Sequence, residues 1–73
     1  MFEGKRLQNH VIRSVDVIDP ETCGLFCFEE PNCVSLNFNK ATSQCELNNS
    51  TFEGQEDKLE THTDFFYQGA KVS

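Results

Sequence analysis

Four cysteines, spaced Cys23-x3-Cys27-x5-Cys33-x11-Cys45, are the residues whose chemistry is most constrained by their pattern. An even count in a chain of 73 residues reads as a disulfide framework. Four cysteines permit three pairings. Joining Cys23 to Cys27, one helical turn apart, ties nothing distant together. The other two pairings both fasten a helix to the hairpin that follows it. Zinc is the rival chemistry, but structural zinc usually takes two close cysteine pairs, and only Cys23 and Cys27 make one. No metal or other cofactor is expected.

The remaining reactive side chains are sparse. His10 has no partner at ligand spacing, and His62 lies between Glu60 and Asp64 in a segment that is acidic throughout. Oxidised cysteines are not nucleophiles, and no nucleophile elbow is visible, so the chain does not read as an enzyme. Glu53, Glu56, Asp57 and Glu60 lack the spacing of a calcium-binding EF-hand and read as a solvated acidic loop. Two overlapping glycosylation sequons, Asn48-Asn49-Ser50 and Asn49-Ser50-Thr51, fall in the same predicted loop. Asn48 and Asn49 are both candidates, with crowding allowing one glycan at a time. Lys5, Arg6, His10 and Arg13 form the only candidate cationic group for a ligand.

Charge narrows the partners. The formal net charge is −6. Residues 1–15 carry Lys5, Arg6 and Arg13 against Glu3, whereas residues 16–64 carry eleven acids against Lys40 and Lys58. Nucleic acid, anionic membrane surfaces and heparin all select clustered cations, and this balance argues against each. No segment approaches the roughly 20 apolar residues of a membrane span, so no membrane insertion is expected. Residues 2–6 offer no apolar stretch of the signal-peptide kind. With a disulfide framework, this reads as one domain excised from a larger extracellular protein, Met1 being an added start.

The elements that would carry these residues follow from local signals. Residues 7–17 include Val11, Ile12, Val15 and Val17, β-branched residues that suggest one or two short strands. Asp19-Pro20-Glu21 is a helix start, with an N-capping Asp, a proline at the first position and an acid near the positive end of the dipole. The helix runs from Pro20 to about Glu29 and stops ahead of Pro31. Cys23 and Cys27 share one face of it, and Leu25 and Phe28 form a separate apolar pair. Val34, Leu36 and Phe38 alternate with Ser35 and Asn37 as a strand, residues 40–43 make a polar hairpin connection, and residues 44–47 return. Residues 48–60 read as an exposed loop, and residues 62–68, with Phe65, Phe66 and Tyr67, as a closing strand. The order gives an α+β domain.

Taken together, these segments resemble the PAN/apple family. The resemblance is carried by Gly4-Lys5-Arg6-Leu7 ahead of the first apolar strands, the helix bearing Cys23 and Cys27, and the run from Pro31-Asn32-Cys33 to Phe38. Cys45-Glu46-Leu47-Asn48 and Phe65-Phe66-Tyr67 complete it. It implies a curved antiparallel sheet of about five strands with one helix packed on it. It also implies two core bridges, Cys23–Cys45 and Cys27–Cys33. The third bridge of apple domains, which joins the two ends, has no cysteines here, so the chain is similar to the two-disulfide form of the N-terminal domains of plasminogen and hepatocyte growth factor. The resemblance further implies an extracellular binding module for a protein or a glycan, in an adhesion, matrix or protease context. A structural spacer without a specific ligand is the alternative.

Overall fold

A computed structural model gives the structure of the protein and describes residues 2–53 and 56–69. Two strands, β1 (Phe2–Leu7) and β2 (Val11–Asp16), precede the helix α1 (Pro20–Glu29). The strands β3 (Ser35–Asn39) and β4 (Gln44–Asn48), a 3₁₀ turn (Glu56–Lys58) and β5 (Leu59–Gly69) follow. The five strands form one sheet in the order β1-β5-β3-β4-β2, every neighbouring pair antiparallel. This is the α+β architecture that the resemblance implies.

The helix forms where the local signals place it. The Asp19 carboxylate accepts the Thr22 N–H at 2.8 Å, satisfying one of the donors left over at a helix start. At the other end the Glu30 N–H donates to the carbonyls of Phe26 (3.1 Å) and Cys27 (3.2 Å). The β3–β4 hairpin is tied by its own amide: Asn39 Oδ1 accepts from the N–H groups of Ala41 (2.8 Å) and Thr42 (3.2 Å). Ser43 closes that turn in the left-handed region, at φ 59°.

One face of the sheet packs on the helix. Leu36, Phe38, Cys45, Leu47 and Phe66 point toward α1 and bury with Val17, Cys23, Cys27 and Cys33. The two disulfides, Cys23–Cys45 and Cys27–Cys33, lie inside this layer with Cα–Cα distances of 5.4 and 5.2 Å. The first fixes the start of α1 to the hairpin's return strand, and the second closes the turn beyond the helix end. No free cysteine remains among the described residues.

The opposite face departs from expectation. Alternation along β3 assigns Ser35 and Asn37 to solvent, yet both are fully buried, as is Asn48, and Glu46 is nearly so. The cause is a fold-over of the sheet. The register of β1 on β5 jumps between Glu3 and Lys5, where Gly4 takes φ 70°, a conformation that L side chains rarely adopt. Before the jump, Phe2 and Glu3 pair with Tyr67 and Phe66; after it, Lys5 to Leu7 pair with Thr61 to Leu59. Only residues 65–69 of β5 pair with β3. The outer halves of β1 and β5 are therefore free to curl over the polar face and cover it.

Two boundaries change for the same reason. Residues 4–7 belong to a strand of their own, and the strand pattern over 7–17 reduces to β2. The loop over 48–60 is shorter than expected, because Asn48 ends β4 and Leu59 already begins β5.

Candidate binding surface

The covered polar face is a network that consumes its own functional groups. Asn37 Oδ1 accepts the Leu7 N–H at 3.0 Å, and Asn37 Nδ2 donates to the Leu7 carbonyl at 3.0 Å. One side-chain amide thus does for β1 what a neighbouring strand would do. Nδ2 also lies 3.2 Å from Glu46 Oε1 and 3.4 Å from Asn48 Oδ1, and Asn48 Nδ2 donates to Ser35 Oγ at 3.2 Å. No buried side-chain nitrogen or oxygen among the described residues lacks a hydrogen-bond partner, as a stable polar interior requires.

Arg6 belongs to this network. Its Nε and Nη2 donate to the two oxygens of Glu46 at 2.9 and 3.0 Å, and Nη1 donates to Glu60 at 3.2 Å. The guanidinium also sits 5.1 Å from the centre of the Phe65 ring, a cation–π arrangement. The hydrogen bond to Glu46, more than any other interaction, raises the Arg6 pKa above its ordinary value; burial opposes it, and the remaining attraction of the two carboxylates adds to it. Arg6 is thus engaged within the fold by two carboxylates.

The other three candidates are dispersed. Lys5, on β1, donates to Thr61 Oγ1 at 2.9 Å. His10 precedes β2, and its carbonyl accepts the Asn49 N–H at 3.1 Å. Arg13, on the edge strand β2 at the far side of the sheet, lines a groove of ≈ 490 Å³ with Ile12, Glu30, Asn32 and Asn49. Lys5 and Arg6 stand on β1 and Arg13 on β2, the strands at the two ends of the sheet order. The sequons separate as well. Asn48 is fully buried with its amide engaged, contrary to the exposed-loop reading, whereas Asn49 is exposed at the rim of the Arg13 groove.

Of the acidic group, Glu60 is engaged by Arg6, and the side chain of Glu56 lies outside the described residues. No group of three or more His, Cys, Asp or Glu among the described residues is placed to hold a metal ion. Among those residues no helix is long and apolar enough to cross a membrane.

What faces outward is the far side of α1. With Cys23 and Cys27 turned inward and bonded, Leu25 is 62% and Phe28 74% exposed. Just ahead of the helix, Ile18 is 88% exposed. Ile18 occupies the position that often staples to the fourth helical residue, but that residue is Cys23, drawn into the core by its disulfide. A second groove, of ≈ 460 Å³, runs beside this face between Pro20, Glu21 and Gly24 of the helix and Glu3, Phe66 and Gln68 of the sheet.

A small α+β module with a disulfide-fastened helix and an interior that satisfies its own polar groups is a scaffold for a surface. Comparison with known families identifies which scaffold: the PAN domain model matches residues 1–69. The chain belongs to the PAN domain family. No curated protein matches the chain.

Proposed function

We propose that the protein is an extracellular binding module that recognises another protein or a glycan through its outer surface. PAN domains generally serve as protein- or carbohydrate-binding modules, and this chain keeps the fold and both bridges. One observation carries the reading: three large apolar side chains, Ile18, Leu25 and Phe28, stand in solvent around a helix held rigid by two disulfides. Scattered exposed apolar residues are ordinary, whereas grouped ones mark contact surfaces.

Asn49 is the sequon residue that a glycan would use in this fold. Its place beside Arg13 sets a glycan there in competition with any ligand of that groove.

The test is retention of ligand by the oxidised domain, on a glycan array and from extracellular extract, against the double variant Leu25→Ser/Phe28→Ser. A glycan or protein held by the parent and released by the variant supports the reading. A parent that retains nothing in either format leaves the spacer role.

A further inference from the structure

The outer face of α1 has the geometry and charge to seat one kind of partner. Residues at i, i+3, i+4 and i+7 of a helix enclose a hole that accepts a side chain from a facing helix. On α1 these positions are Glu21, Gly24, Leu25 and Phe28, opposite the buried Cys23 and Cys27. Gly24 leaves the hole open: a Cβ added there would meet nothing within 4 Å. Glycine within a helix is unfavourable relative to alanine, and nothing in this fold requires it at Gly24.

The helix and the residues that flank it carry charge of one sign, and the nearby Lys40 is already paired with Glu3 at 2.9 Å. Residues 16–30 contain Asp16, Asp19, Glu21, Glu29 and Glu30 and no Lys, Arg or His. Glu29 stands in the last turn, where no basic residue is present, at the negative end of the helix dipole. An arrangement that disfavours the free helix favours a cation brought by a partner. The same charges disfavour a second copy of this chain, since two such faces would press acid against acid on molecules of net charge −6, and they disfavour anionic lipid likewise.

The geometry points to an amphipathic, basic helix of another protein as the partner of this face. Its apolar side chains enter the hole beside Leu25 and Phe28, and its Lys and Arg side chains reach Glu21 and Glu29. This rests on the recognition reading above and specifies the partner for it.

The experiment titrates the ¹⁵N-labelled oxidised domain with two synthetic helical peptides of identical apolar pattern, one with Lys and one with Glu at the polar positions. The Lys peptide is expected to shift the amides of residues 18–30 selectively, to weaken as salt is raised, and to bind Leu25→Ser/Phe28→Ser at least roughly tenfold less well. The Glu peptide is expected to leave the spectrum unchanged. Equal responses to both peptides, shifts centred on β2, or no response to the Lys peptide would overturn the proposal. So would concentration-dependent dimerisation through α1. Mapping on the parent protein decides the matter even where the double variant folds poorly. Absence of Lys-peptide binding, with glycan or protein still retained in the preceding test, would remove this partner and leave the recognition reading standing.

Discussion

At the scale of single residues, the interior depends on side chains whose roles run against their usual ones. Asn37 replaces a strand, and its loss would strand the N–H and carbonyl of buried Leu7. Each unsatisfied buried group costs about 1–3 kcal/mol, so Asn37→Ala, which strands two, is expected to destabilise by about 2–6 kcal/mol in denaturant unfolding. Arg6→Ala, which leaves Glu46 with only the Asn37 amide among its described partners in a partly solvated site, is expected to cost about 1–3 kcal/mol. Arg13→Ala should stay within about 0.5 kcal/mol of the parent. Equal effects of the two arginine changes in thermal melts would contradict the structural role of Arg6. The Arg6 pKa is raised, so on its side the pair is intact at neutral pH and fades only in strong alkali. Asp19 behaves in the opposite sense. Hydrogen bonding from Thr22 lowers its pKa below the ordinary 3.8, so the cap is intact above that pH and is lost as acid passes through the lower folded value. A pH titration of the Thr22 amide signal should therefore show a midpoint below 3.8.

At the scale of elements, what was legible was local. The bounds of α1 follow from Asp19, Pro20 and Pro31, side chains that act within a turn of the helix they delimit, and the β3–β4 hairpin from alternation around a short polar connection. The first strand was not legible. Lys5 and Arg6 carry no β preference, and residues 4–7 become a strand because β5, more than fifty residues away, pairs with them. The buried polar layer was hidden for a related reason. Ser35, Asn37, Glu46 and Asn48 alternate as a solvent face would, and it is the fold-over at Gly4, with Ser50 bonded to Ser35, that covers them. One signal was available: Ser35, Asn37 and Asn48 are uncharged groups able both to donate and to accept, where a solvent face more often bears Lys or Glu. Of the candidate ligand group, the sequence could not tell Arg6 from Arg13, because the carboxylates that claim Arg6 come from β4 and β5.

At the scale of the whole molecule, stability and recognition divide between the two faces of one helix. The inner face is cross-linked. The bridges close separations of 22 and 6 residues, for which chain entropy gives about 3 and about 2 kcal/mol. Replacing Cys23 and Cys45 together by Ala is therefore expected to destabilise more than replacing Cys27 and Cys33, and full reduction to bring the domain near unfolding. Urea titrations of the two double variants test the order, and a reversed order would refute the loop-length account. The outer face of α1 is left unconstrained by the core, which is why it can be specialised for contact. Gly24→Gln tests this most directly. Glutamine is a good helix former, so in the open space at Gly24 it should stabilise by about 0.5–1 kcal/mol, a rise of several degrees in melting temperature. The same side chain fills the hole between Leu25 and Phe28. The measurement is the melting temperature of this variant alongside its affinity for the Lys-bearing helical peptide. A higher melting temperature with weakened binding is the predicted result; a higher melting temperature with binding unchanged or improved would contradict the assignment of this face as the recognition surface.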